Sequence, residues 1–181
     1  PEEFGRLNIM LNLINFIAPF ISLGITNTIA VNYFKLRKEN LSSHISTYFL
    51  FSASITFGIF LLFIIFQNEL INYFHFDIWF ILSVPLLCFF NLIMDTLIVI
   101  NRNEHEVKKI AYITIFKILL EIGLSIILIV FLKKGIEGRA LSLIISTGII
   151  AIFCFYDIFI RFKLSITYNF RFIKNEVRFW G

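Results

Sequence analysis

Five long runs of apolar residues, separated by short polar connections, set the pattern of the chain. They cover residues 7–34, 45–66, 78–100, 110–132 and 140–160. An α-helix needs about 20 residues to cross a hydrocarbon core that is ~30 Å thick, and each run reaches that length. The apolar residues do not alternate with polar ones, as the strands of a transmembrane barrel do, and residues 59–66 are apolar throughout. The pattern therefore predicts an all-α fold, a polytopic transmembrane bundle of five helices.

The composition indicates a membrane protein and not a soluble domain. Of the 181 residues, 59% are hydrophobic and 15% are charged, whereas soluble domains average about 45–50% and about 25%. The two cysteines, Cys88 and Cys154, fall inside apolar runs, so we expect small apolar side chains and no disulfide. No nucleic-acid-binding surface is expected, because the basic residues lie in connections beside the spans.

The basic residues divide unequally between the two sides of the predicted bundle. One side holds four, which are Arg6, Lys133, Lys134 and Arg139. The other holds eleven, which are Lys35, Arg37, Lys38, Arg102, Lys108, Lys109, Arg161, Lys163, Arg171, Lys174 and Arg178. The positive-inside rule places the second set in the cytoplasm, so residue 1 lies outside and residues 161–181 form a basic cytoplasmic tail. Because the chain starts outside with Pro1 and shows no signal peptide, we expect an earlier helix before it and a further helix after the tail.

Polar residues in the first run follow one face of the predicted helix. They are separated by steps of four, three, four, three and four, and are Asn8, Asn12, Asn15, Pro19, Ser22 and Thr26. At about 100° per residue these positions stay on one narrow face, which must avoid lipid because exposed amides are costly there. Two interpretations stay open, namely hydrogen bonding between helices and the lining of a wet cavity. Pro19 and Gly24 predict a bend in this helix.

Charged residues within the predicted spans are the other candidates for a site. Lys117 and Glu121 stand four residues apart near the middle of the fourth run, and mutual neutralisation is the expected reason for their presence. The alternative role of this pair is contact with a charged substrate or a coupling ion. Asp95 is expected to pair with Arg102 or Lys117, and the alternative is a proton or cation site. Asp157, near the end of the fifth run, is expected to be exposed at the cytoplasmic interface.

Motifs for common enzyme chemistry are absent from the sequence. There is no phosphate-binding Gly-rich loop that ends in Lys followed by Ser or Thr. His44, His75 and His105 are predicted to fall in three separate connections, so no metal cluster is expected. No Ser-His-Asp or Cys-His arrangement is evident. We therefore expect neither an enzyme nor a bound cofactor.

Several short motifs, in order along the chain, resemble one family of transporters. The motifs are PEEFGRL at 1–7, LGITNT at 23–28, NYF at 32–34, NRNE at 101–104, GIEGRA at 135–140, FRFIK at 170–174 and VRFWG at 177–181. Their order, spacing and predicted sidedness are similar to the polysaccharide flippases of the multidrug, oligosaccharidyl-lipid and polysaccharide exporter superfamily, particularly those for O-antigen and capsule repeats. The resemblance places the chain at family helices two to six, within the N-terminal bundle of a two-bundle transporter.

The resemblance implies a transporter of the cell's inner membrane that moves an undecaprenyl-diphosphate-linked oligosaccharide between leaflets by alternating access. Membrane lipids, this substrate and polysaccharide-assembly proteins are the partners it implies. A cavity for such a substrate needs hydrogen-bonding groups for sugars and a positive charge for the diphosphate. We expect Asn8, Asn12 and Asn15 to bind sugar hydroxyls, and Lys117 to offset the diphosphate charge.

Three other functions are compatible with the same pattern. An Na⁺- or H⁺-coupled exporter of drugs or small solutes in the same superfamily would use Asp95 and Glu121 to bind the ion. A non-transporting membrane scaffold would use the polar face of the first helix only to hold helices together. A membrane-embedded enzyme acting on lipid-linked sugars is disfavoured, because the outer connection at 67–77 is short.

Overall fold

The computed structural model describes residues 2–74 and 78–164. Within them the chain forms seven α-helices and one π-helical turn, and no strand. The helices are α1 (Glu2–Ser22), α2 (Ile25–Asn32), α3 (Lys38–Ile65), α4 (Gln67–Phe74), α5 (Ile78–Asn103), α6 (Val107–Ile126) and α7 (Gly135–Phe162), and the π-helical turn Ile127–Phe131 continues α6. The predicted all-α fold is confirmed. Residues 165–181, which hold most of the predicted basic tail, and residues 75–77, with His75, lie outside the described residues.

Four helices are long and apolar enough to cross a membrane, and a bent pair makes a fifth candidate span. The four are α3 from Asn40 onward, α5, α6 with its π-helical turn, and α7, and the pair is α1 from Leu7 onward with α2. Several helices extend past the predicted apolar runs, and α3 begins at Lys38 where the run begins at residue 45. Helical hydrogen bonding continues into polar end residues that carry no apolar signal. The described chain is a multi-pass helical membrane protein.

The bend predicted from Pro19 and Gly24 is present as a break between α1 and α2. The helix axis bends by 47° between α1 and α2. Leu23 and Gly24, at the break, take positive φ angles of 42° and 69°. Proline lacks the N–H that would continue the ladder, and glycine adopts the left-handed region without strain, so both residues favour the break. The Ser52 hydroxyl of α3 donates to the Ile21 carbonyl at the break, 2.9 Å away. This bond satisfies a backbone group in an apolar setting.

Helix α5 forms the centre of the bundle and α6 lies at its periphery. In the most apolar window of each helix, 56% of residues are buried for α5 and 6% for α6. The buried face of α1, with Met10, Ile14, Ile17 and Ile21, joins the same apolar core as the buried residues of α5. The remaining face of α1 is therefore left for other contacts.

The π-helical turn and α7 approach each other closely at Gly138. A Cβ atom added at Gly138 would lie 3.1 Å from both the carbonyl carbon and the Cβ of Leu128. The backbone N–H of Leu132 donates to the Ile127 carbonyl in the wider π-type pattern. Glycine at residue 138 allows this close contact, because a Cβ there would require Leu128 to shift by a few tenths of an ångström.

The connection between α3 and α5 contains a helix that the apolar pattern did not predict. Residues Gln67–Phe74 form α4, whose Leu70 and Ile71 pack partly buried against the core. Because α4 is amphipathic and only eight residues long, it carries no signal for a span. At the opposite end of the bundle, which we call the basic end, residues 33–37, 104–106 and 161–164 come together.

Candidate binding cavity

A cavity of about 750 Å³ lies between α1, α2, α3 and α5. The break between α1 and α2 supplies part of its wall, through Leu23 and Gly24. Polar groups of several kinds line it, namely Asn15, Ser22, Thr26, Thr28, Tyr48, Asn91 and Asp95. Amides, hydroxyls and a carboxylate in one concave surface can bind a hydroxylated ligand, since each hydroxyl both donates and accepts a hydrogen bond.

The polar face predicted on the first helix contributes to this cavity. Asn15, Pro19 and Thr26 line the wall, and Asn8 and Asn12 lie exposed further along the same face of α1. Within the described residues, the three asparagine side chains form no hydrogen bond to another helix. Of the two interpretations left open by the sequence, the geometry favours a cavity-lining face over contacts between helices of this chain.

Asn91 connects the cavity wall to the positive charge of Lys117. The Lys117 ammonium lies 3.4 Å from the Asn91 side-chain oxygen, and Lys117 itself is half-buried. Asn91 belongs to the cavity lining and Lys117 does not. Asp95, one helical turn after Asn91, is exposed on the wall and interacts electrostatically with Lys117. Asp95 was expected to pair with Arg102 or Lys117. Lys117 is the charge that acts on Asp95, whereas the Arg102 side chain is exposed.

The expected ion pair between Lys117 and Glu121 is wrong, because Glu121 pairs with a residue of the next helix. An oxygen of its carboxylate lies 2.7 Å from the Arg139 guanidinium. The same guanidinium donates to the Ser125 hydroxyl, which is 2.6 Å from the Ser142 hydroxyl. Lysine preceding glutamate by four residues is the weaker orientation for a pair within one helix, and the planar guanidinium offers two donors in a fixed geometry.

A second polar cluster, centred on Arg161, lies at the basic end. Two guanidinium nitrogens lie 3.0 and 2.6 Å from the two carboxylate oxygens of Asp157. Another nitrogen donates to Glu104 at 2.8 Å and to Asn101 at 2.9 Å. The expectation that Asp157 is merely exposed at the interface is therefore wrong, since it pairs with Arg161 one turn later. Arg161, assigned to the tail by the sequence, belongs to α7.

Tyr33 extends this cluster to the turn after α2. Its hydroxyl donates to the other Glu104 oxygen at 2.6 Å. Burial, the hydrogen bond to Glu104 and the nearby negative charge raise the pKa of Tyr33 to about 12. The phenol therefore stays protonated at neutral pH and remains a donor.

A sequence model of the polysaccharide biosynthesis protein family matches residues 1–180. The chain belongs to this family. No curated protein and no solved structure gives a significant match.

Membership in the polysaccharide biosynthesis protein family confirms the family resemblance drawn from the short motifs. It assigns the chain to polysaccharide synthesis or export. In such a protein, a polar cavity inside an apolar bundle is the natural candidate for contact with sugars.

Histidine and cysteine residues do not form a further site in the described part of this family member. No three residues of the metal-binding types come together there. The expectation that His44 lies in a connection is wrong, because it is buried inside α3. Cys88 and Cys154 are free and buried, as expected for small apolar side chains.

Sequence reasoning missed three contributions to the polar architecture of the bundle. It counted Arg139 and Arg161 only as connection residues, and it gave no role to Ser52. Arg139 directly follows Gly138 in the connection before the fifth run, and its position next to an apolar run was the one available signal. No sequence signal pointed to Ser52. Serine is common in membrane helices, and the partner of its hydroxyl is a backbone carbonyl far away in sequence.

Proposed function

We propose that this chain forms part of a transporter that flips a lipid-linked oligosaccharide, carried on undecaprenyl diphosphate, across the inner membrane for surface polysaccharide synthesis. The observation that carries the proposal is the cavity, which holds amide, hydroxyl and carboxylate groups inside an apolar bundle. A hydrophilic headgroup crosses a bilayer only where such groups replace its water. Membership in the polysaccharide biosynthesis protein family supports a saccharide as that headgroup.

The size and openness of the polar face support a large ligand. Asn8 and Asn12 continue the wall beyond Asn15 without partners in the described chain, so the face extends along α1 past the cavity itself. A face of this kind suits an oligosaccharide of several units, whose hydroxyls require many weak contacts. We propose that a second helical bundle completes the enclosure of this face.

Lys117 remains the proposed counter-charge for the diphosphate, and it acts from behind Asn91 because it does not itself line the cavity. Because Glu121 pairs with Arg139, the Lys117 ammonium is not neutralised by Glu121. It donates instead to Asn91, which lines the cavity. Replacement of Lys117 with Met should reduce transport more than replacement with Arg, since Arg keeps the charge.

Surface polysaccharide tests the proposal directly. The full-length protein is expressed in a strain that lacks its own repeat-unit flippase, and surface polysaccharide and lipid-linked precursor are both quantified. We expect the protein to restore the polymer, and Asn15→Leu or Thr26→Val to lower it by about tenfold while precursor accumulates in the inner leaflet.

Asn68 supplies the matched control, because it is exposed on α4 and lies outside the cavity lining. Asn68→Leu should leave polymer and precursor unchanged. Loss of the lipid-linked precursor, in place of its accumulation, would instead indicate a role in synthesis and contradict the flippase proposal.

Orientation is proposed from the basic residues, with the basic end in the cytoplasm and α4 outside. Single cysteines introduced as Asn68→Cys and Lys163→Cys test it with a membrane-impermeant thiol reagent. Labelling of Asn68→Cys alone in intact cells is expected, and labelling of Lys163→Cys alone contradicts the orientation.

A further inference from the structure

Asp95 differs from Glu104, Glu106, Glu121 and Asp157, because the described chain gives it no bonded partner. Glu104, Glu106 and Asp157 lie within ion-pair distance of Arg161, and Glu121 lies 2.7 Å from Arg139. Asp95 is exposed on the cavity wall and forms neither a hydrogen bond nor an ion pair there. A carboxylate held in this way inside a membrane bundle has its acceptor oxygens available to a ligand.

The residues that line the cavity carry a negative charge, and the positive charge of Lys117 lies close to it but outside the lining. Among its described lining residues, Asp95 is the only charged one. Lys117 lies behind Asn91 and reaches the amide oxygen, not the cavity. Because that oxygen faces Lys117, the Asn91 amide hydrogens are directed away from the lysine and serve as neutral donors.

The cavity wall therefore distinguishes sugars by their charge. Neutral hydroxyls donate to the carboxylate, and an ammonium group of an amino sugar forms a charge-assisted hydrogen bond with it. The carboxylate of a uronic acid is repelled, since it brings a second negative charge close to the Asp95 carboxylate.

Building on the function proposed above, we propose that Asp95 determines sugar specificity, so that the cavity prefers amino sugars, accepts neutral sugars and excludes acidic ones. The proposal concerns the charge of the saccharide and not the lipid carrier or the direction of transport.

Three soluble trisaccharides of different charge test this directly on the purified full-length protein in nanodiscs. The probes are the trimers of glucosamine, N-acetylglucosamine and galacturonic acid, and the dissociation constant of each is measured by isothermal titration calorimetry. We expect affinity to fall in that order, with about tenfold between the first and the last. Non-specific attraction gives the reverse order, because the chain carries a net charge of +4.

Variants at residue 95 decide the assignment. Asp95→Asn should reduce the spread between the probes to about twofold, and Asp95→Glu should keep the order. Glu69→Gln, an exposed substitution on α4 outside the cavity lining, should change nothing. The unfolding temperature of each variant is measured alongside, so that misfolded protein is not counted.

Three results overturn the proposal. The first is equal affinity of the wild type for the three probes, and the second is an order of affinities that Asp95→Asn leaves unchanged. The third is a uniform loss of transport in Asp95→Asn, together with loss of the dependence of transport on an ion gradient, which assigns Asp95 to a coupling cation. In each case restoration of surface polysaccharide by the wild type still supports the flippase function. Failure of that restoration with the charge order intact contradicts the flippase function and leaves a saccharide-binding cavity.

Discussion

Polar groups at the basic end and polar groups in the cavity lie in the same apolar bundle but in opposite situations. At the basic end, the Arg161 guanidinium is shared among Asp157, Glu104 and Asn101, at distances of 2.6 to 3.0 Å. In the cavity, Asp95 and Asn15 have no bonded partner in the described chain. The first arrangement fixes the ends of three helices relative to each other, and the second leaves hydrogen-bonding capacity for a ligand.

The comparison teaches that polarity alone does not mark a functional site in a membrane helix. A charge with several protein partners serves packing, while a polar group that the fold leaves open must be satisfied by water or ligand. It follows that substitutions in the closed clusters should lower stability, and substitutions in the cavity should lower binding or transport with little effect on stability.

The largest effect is expected at Arg161. Arg161→Met leaves Asp157 and Glu104 without their cation, and should lower the free energy of unfolding by about 3 kcal/mol. The measurement is reversible unfolding of the full-length protein in mixed detergent micelles. Arg102→Met is the matched control, because Arg102 is exposed and forms no ion pair in the described residues. Equal effects of the two substitutions would contradict the view that polar groups with protein partners stabilise this end and that polar groups without them do not.

A smaller loss is expected where α7 approaches the π-helical turn. Gly138→Ala places a Cβ 3.1 Å from Leu128 atoms, so the helices must separate, and stability should fall by about 2 kcal/mol. At Gly123 an added Cβ meets nothing within 4 Å. Gly123→Ala is therefore expected to be neutral or slightly stabilising, since alanine is the better helix former. A neutral Gly138→Ala would contradict the close packing of this contact.

The α6–α7 cluster should show a moderate coupling energy. A double-mutant cycle with Glu121→Gln and Arg139→Gln is expected to give about 1 kcal/mol between the two residues, measured by the same unfolding assay. The single variants should leave the ion dependence of transport unchanged. If Glu121→Gln changes the ion dependence of transport, Glu121 has an ion-coupling role and does not only stabilise the contact between α6 and α7.

The smallest stability effect is expected on the open face. Asn12→Ala should change the free energy of unfolding by less than about 0.5 kcal/mol, because Asn12 is exposed and has no hydrogen-bond partner in the described chain. Polysaccharide export by the same variant should nevertheless fall. A clear loss of stability would show that this face packs against protein, as in a membrane scaffold.

Local patterns in the chain predict much of the fold but little of the pairing. The helical class, the bend near Pro19 and Gly24, and the single polar face of α1 all depend on neighbours within one or two turns, which the sequence displays directly. The partner expected for Glu121 was wrong, since Arg139 meets it across a helix contact. Asp157 was expected only to be exposed, and it pairs with Arg161, which had been assigned to the tail.

The sequence by itself determined that this protein is a membrane bundle with one polar helix face, because a bilayer requires long apolar helices and helical periodicity places polar residues on a face. Only the tertiary structure decided what that face meets. Which polar groups find partners depends on contacts between helices far apart in sequence. Those contacts close the cluster at Arg161 and leave Asp95 open to the cavity.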